Sequence, residues 1–94
     1  MGTDLKIYEQ NITYINGRRR KQFDEICTVW SSELIEEIME KGQKNWYISS
    51  ECGAEFELLG SEVLDFADKI KKYDKNFNDN QIDIDEWYRC EISY

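Results

Sequence analysis

The chain has no histidine and no proline, and no apolar run approaches the ~20 residues that a membrane-spanning helix needs. Histidine is the side chain that titrates most readily near neutral pH, the commonest general base and the commonest metal ligand. Its absence sets aside histidine-based acid–base chemistry, histidine-ligated metals and Cys/His nucleophilic pairs. There is also no GxSxG elbow, no Walker loop and no GxGxxG turn. Paired carboxylates can be drawn almost anywhere among twenty acidic residues, so they carry no weight. A two-layer domain of this size seldom encloses a substrate pocket. The expectation is a protein that is not an enzyme and needs no cofactor. No function follows from the missing proline.

Cysteine is sparse too. Cys27, Cys52 and Cys90 are too far apart for a CxxC redox or zinc motif, and their odd number argues against a disulfide framework. No leader pattern is visible, so a reducing, cytoplasmic setting with three free thiols is expected. Cys27 and Cys90 lie in apolar-rich segments and read as small buried hydrophobes. Cys52, beside Gly53 and between Glu51 and Glu55, reads as more exposed, with acidic neighbours that disfavour its thiolate.

What the chain does have is acid. Twenty Asp and Glu face twelve Lys and Arg, for a net charge of −8 over 94 residues. Three Trp, six Tyr and four Phe, with hydrophobic residues at 40%, supply a core and argue against disorder. No repeat or linker interrupts residues 1–94, which read as a single domain.

Ile12-Thr13-Tyr14-Ile15, then Asn16-Gly17, then Arg18 to Phe23 predicts a β-hairpin, Asn-Gly being the strongest short turn signal. Leu5 to Tyr8 forms either an earlier strand or the start of the same one, and the return strand runs on toward Trp30. Ser31-Ser32 offers an N-cap to a helix over Glu33–Glu40 with Leu34, Ile35 and Ile38 on one face, and Gly42 reads as its stop. Trp46 to Ser50 is a strand. Ala54, Phe56 and Leu58 alternate with Glu55 and Glu57 in another, half-buried one. Gly60-Ser61 opens a second helix with Val63, Phe66, Ala67 and Ile70 at i, i+3, i+4 and i+7. After a polar loop, Ile82 and Ile84 alternate with Asp83 and Asp85, and Trp87 to Tyr94 is a last strand. The predicted fold is α+β: a mainly antiparallel sheet of 4–6 strands with two helices on one face, in the order β(β)β-α-ββ-α-β.

Residues 31–68 contain ten acids against Lys41 and Lys44 alone, so the whole net charge resides there. Glu33/Glu37 and Glu36/Glu40 are like-charge i, i+4 pairs, each costing a few tenths of a kcal/mol on the order of magnitude measured in helices. The second helix offers Asp65–Lys69 and Asp68–Lys72 in the favourable order. Glu33, Glu36, Glu37 and Glu40, with Glu55 and Glu57, therefore read as a partner-binding acidic face, extended by Glu62. Such a face imitates the spaced negative charge of a nucleic-acid backbone and steers toward basic clefts.

In size and charge the chain resembles the small acidic inhibitors of biological conflict: anti-CRISPR proteins, DNA mimics and immunity proteins that neutralise nuclease toxins. That resemblance implies a basic, nucleic-acid-binding partner protein, with no membrane and no direct nucleic-acid contact. An acidic interaction domain whose charge serves solubility is an alternative.

Two further segments compete with this reading. Arg18-Arg19-Arg20-Lys21 is a basic run, but a strand splits it between two faces and no aromatic interleaves it. It is expected to pair with the chain's own carboxylates or to protect a strand edge. Residues 74–86 resemble an EF-hand calcium loop, with Asp74, Asn76 and Asn78 at the first three ligand positions and Asp85 at the last. Asp79 occupies the glycine position and Gln81 the aliphatic one. The resemblance implies a calcium-binding alternative through Asp74, Asn76, Asn78 and Asp85.

Overall fold

The Asn16-Gly17 dipeptide does what its composition predicts. In the computed structural model, which describes residues 3–50 and 53–94 and only the backbone of 47–50, Asn16 and Gly17 take φ of 52° and 77°. Ile15 pairs with Arg18 across them, closing a two-residue hairpin turn. The hairpin joins β1 (Asp4–Ile15) to β2 (Arg18–Val29), so Leu5–Tyr8 belongs to the same strand as Ile12–Ile15. A bulge at Ile26 shifts the register, with Ile7 opposite Cys27 and Tyr8 opposite Glu25.

Ser31 caps α1 (Ser32–Gly42), its hydroxyl accepting the Leu34 N–H at 3.4 Å. Leu34, Ile35 and Ile38 are buried as their spacing predicts. Gly42 does not end the helix in a left-handed conformation: its backbone is right-handed, and a 3-10 turn over Gln43–Asn45 follows. Glycine is required there because a Cβ would collide with the ring of Phe56. Then come β3 (Trp46–Ser50) and β4 (Gly53–Leu59), paired antiparallel. Glu51 and Cys52 lie outside the described residues.

The predicted second helix is two. The helices α2 (Gly60–Asp65) and α3 (Ala67–Tyr73) meet at Phe66, whose backbone leaves the helical range at φ −100° and ψ 2°. The apolar face survives the break, with Val63, Ala67 and Ile70 buried. The Ile82/Ile84 alternation does not become a strand: Ile82 is buried, Ile84 is exposed, and β5 starts at Trp87 and ends at Ser93.

The sheet order is β2-β1-β5-β4-β3, antiparallel throughout, which places the last strand at the centre. Leu5, Ile7, Phe56, Leu58, Cys90 and Ile92 point from one face of the sheet into a single core shared with α1, α2 and α3. Among the described residues, no helix covers the other face. This is the two-layer α+β architecture expected. No helix among the described residues is long and apolar enough to cross a membrane.

Candidate functional site

The acidic helix stands on the covered side of the sheet. Glu33, Glu36, Glu37 and Glu40 are all exposed on α1. Glu36 lines the clefts on both flanks of the helix, which puts it on the crest. The cleft toward α3, about 480 Å³, is bordered by Leu34, Glu37, Lys69, Lys72 and Tyr73. Lys69 leaves its expected partner Asp65 and binds Glu37 instead, its Nζ 3.0 Å from each carboxylate oxygen. The break at Phe66 separates residues 65 and 69 and frees the lysine to reach across. Among the described residues, Glu33, Glu36 and Glu40 have no ion-pair partner.

Glu55 and Glu57 do not join them. Phe56 points into the core beneath α1, so its neighbours on β4 project from the opposite, uncovered face of the sheet. There Glu55 pairs with the Arg89 guanidinium, which also binds Glu91 at 3.0 Å. Glu57 accepts a hydrogen bond from the Gln10 amide at 3.3 Å and borders a cleft of about 410 Å³ beside Trp46 and Trp87. The six glutamates are thus two groups on two sides of the molecule.

Glu62 is not part of a bare patch either. It is 9% exposed. Its carboxylate accepts the Leu59 N–H at 3.0 Å, capping α2, and stands 3.6 Å from Lys44. A glutamate three residues into a helix is the signal that identifies this role.

The loop between α3 and β5 spends its oxygen atoms locally. Asp74, Asn78 and Asp83 each accept a backbone N–H two residues on, from Asn76, Asn80 and Asp85, at 3.0 Å. Asp79 pairs with Lys71 at 3.0 Å, and that hydrogen bond holds its carboxyl below the usual range. Phe77 and Ile82 plug the loop into the core. Among the described residues, the side-chain amide of Asn76 and the carboxylate of Asp85 have no hydrogen-bond partner. Among the described residues no three of His, Cys, Asp and Glu converge as a metal-binding group.

Cys27 and Cys90 are buried and unpaired. They face Ile7 from opposite sides in the register, two strand spacings or about 9.6 Å apart, beyond disulfide reach. Burial first, then the charges of Asp74 and Glu25, push the Cys27 thiol up to about 12. Burial raises Cys90 well above its ordinary value. Neither thiol supplies a nucleophile at neutral pH.

The sequence holds two Trp-Tyr dipeptides, Trp46-Tyr47 and Trp87-Tyr88; in the second, Tyr88 is core while Trp87 is 42% exposed. Trp46 is half-buried, its ring stacked on Phe56 at 5.8 Å between centroids. The side chain of Tyr47 lies outside the described residues.

Comparison with family models, with curated proteins and with solved structures finds no match. The surface chemistry of the chain is therefore what speaks to function.

The basic run is the feature that sequence reasoning placed least well. Arg18, Arg19, Arg20 and Lys21 are exposed, and among the described residues none is paired with a carboxylate. The expected internal pairing is absent among the described residues because the run sits at the far end of the hairpin, away from Glu9, Asp24 and Glu25 at its base. It does occupy β2, an edge strand, as edge protection requires.

Proposed function

We propose that the chain is a non-enzymatic, cytoplasmic binding protein that occludes a basic nucleic-acid-binding site of a partner protein. It acts in the manner of an immunity, anti-CRISPR or nucleic-acid-mimic inhibitor. One observation carries this reading: Glu33, Glu36 and Glu40 form an exposed ridge along α1 with no ion-pair partner among the described residues. Within an isolated domain such a ridge is a small electrostatic cost. Against a basic cleft the same charges are complementary, raise the association rate and set the register of docking. Glu37, neutralised by Lys69, and Glu55, neutralised by Arg89, contribute less than the sequence suggested. Glu57 faces away from the ridge and belongs to a separate surface.

The mechanism is steric and electrostatic occlusion, with no cofactor and no covalent step. It is tested by a pull-down with the tagged chain from host lysate, washed at low salt and eluted at high salt. A basic nucleic-acid-processing protein in the eluate is the expected result. Glu36→Lys with Glu40→Lys is expected to abolish its capture and inhibition, the fold being intact by circular dichroism. Full potency in that folded double mutant removes the acidic-ridge mechanism.

A further inference from the structure

The hairpin is longer than the sheet that holds it. β1 pairs with β5 only from Asp4 to Glu9, whereas its pairing with β2 continues to Ile15 opposite Arg18. Residues 10–15 and 18–23 therefore continue as a two-stranded ribbon beyond β5, anchored at its base by Gln10 and Phe23. At about 3.4 Å per residue its tip projects about 20 Å past the edge of the β1–β5 pairing.

That distance decides how the charge is felt. The Debye length at physiological salt is about 8 Å, so Arg18 and Arg19 at the turn are screened from the acidic body, whereas Lys21, opposite Ile12, stands nearer its carboxylates. The net charge of −8 does not describe the arm. Locally it presents Arg18, Arg19, Arg20 and Lys21 without a counter-charge.

The register adds what the linear sequence conceals. Directly opposed residues of an antiparallel pair share a face. Tyr14 is opposite Arg19, Ile12 opposite Lys21 and Gln10 opposite Phe23. The bulge at Ile26 sets this phase, and it turns Arg19, Lys21 and Phe23 toward the uncovered face of the sheet. Two contacts fix that assignment: the Arg89 guanidinium lies 4.9 Å from the Phe23 ring centroid, and the Gln10 amide reaches Glu57. One face thus carries a row of cations on β2 beside a row of large side chains on β1. Tyr14 is 72% exposed. Edge protection explains the cations but not the aromatic and aliphatic side chains left in water beside them.

From this we infer that the ribbon binds single-stranded nucleic acid along its uncovered face. Phosphates follow Arg19 and Lys21, Arg18 and Arg20 add charge from the other face, and a base stacks on Tyr14. Arginine is suited to phosphate by its planar fork of donors. A cationic track beside an aromatic platform is the arrangement by which single strands are held without sequence preference. An acidic surface without aromatic groups would satisfy the cations and give Tyr14 nothing to stack on. A duplex, its bases stacked inside, would do the same. This site is independent of the α1 ridge, and the proposal departs from the expectation of no nucleic-acid contact.

The test is fluorescence anisotropy of a labelled oligo(dT) 20-mer, with a 20-bp duplex and polyglutamate of matched charge as competitors, at 50 to 200 mM salt. The expected result is binding to the single strand in preference to both competitors. Tyr14→Ala, which changes no charge, should weaken it at least about fivefold, at the lower end of what one stacked base contributes. Replacing Arg18, Arg19, Arg20 and Lys21 together by Ala should flatten the salt slope by up to about 2.8, at about 0.7 per phosphate contact. Glu36→Lys should leave Tyr14 dependence intact. No binding at 50 mM salt overturns the inference, as does equal preference for polyglutamate or duplex, or a Tyr14→Ala protein that binds like the parent. Both arm variants lie outside the core, and a thermal melt matching the parent verifies that they fold.

Discussion

Lys69 on α3 sits 3.0 Å from both carboxylate oxygens of Glu37 on α1, and this one contact divides the four glutamates of the helix into unequal roles. Glu37 is neutralised, while Glu33, Glu36 and Glu40 remain available. Partner capture is therefore expected to depend steeply on Glu36 and Glu40 and hardly at all on Glu37. Glu37→Gln should change affinity by less than about twofold and stability by about 0–1 kcal/mol, the range for an exposed ion pair. Titration of the captured partner against both sets of variants checks this. Equal losses from Glu37→Gln and Glu36→Gln would mean that net charge, not the ridge, is recognised.

Gly42 and Phe56 form a second dependent pair. The ring of Phe56 fills the space that a Cβ at position 42 would need, and it is fully buried beneath α1. Gly42→Ala gains helix propensity of about 1 kcal/mol but overpacks the contact. A net loss of about 1–3 kcal/mol is expected in urea unfolding. Phe56→Leu in the same chain should restore part of that loss, although alone it is destabilising. Strictly additive losses in the double mutant would show that the two residues do not compete for the same space.

The buried carboxylate of Glu62 behaves unlike the other acids of its segment. Glu62→Ala removes the acceptor for the Leu59 N–H and the partner of Lys44. A loss of about 1–2 kcal/mol is expected, typical of a helix cap with a part-buried hydrogen bond. Glu36→Ala on the exposed ridge should lie within about 0.5 kcal/mol of the parent. A thermal melt of the two variants separates a structural glutamate from a free one.

Local chemistry was legible in the sequence and long-range pairing was not. Asn16-Gly17, the Ser31 cap and the Ala54/Phe56/Leu58 alternation each specify an element through contacts a few residues apart. The central position of β5 depends on β1, more than 70 residues away in sequence, pairing with it, as in the Leu5–Ile92 pair, and no local pattern encodes that. The break at Phe66 was hidden because the 3, 4 spacing of Val63, Phe66, Ala67 and Ile70 is kept across it. The separation of Glu55 and Glu57 from α1 was deducible: helices must cover Phe56, and alternation then turns its neighbours away. The partnership of Tyr14 with Arg19 needed the exact register of the hairpin, which the two-residue turn does supply once it is taken as closed.

Alkaline pH probes the core through its thiols. The folded protein keeps protons on Cys27, pushed up to about 12, and on Cys90, raised well above its ordinary value by burial and then by Cys27. The unfolded chain releases them near the ordinary cysteine value of about 8.5. Between those limits the unfolded state binds fewer protons, so stability falls as pH rises. The contribution is complete below about pH 8.5 and is lost as pH climbs toward 12, at up to about 1.4 kcal/mol per unit for each thiol. Urea unfolding at pH 7, 8.5, 9.5 and 10.5 should therefore show a flat region and then a decline. Cys27→Ala lowers stability at neutral pH by leaving a small cavity, yet its decline above pH 8.5 should be shallower by the share of one thiol. Parallel declines in parent and variant would mean that Cys27 titrates alike in the folded and unfolded chains, and that its burial carries no electrostatic consequence.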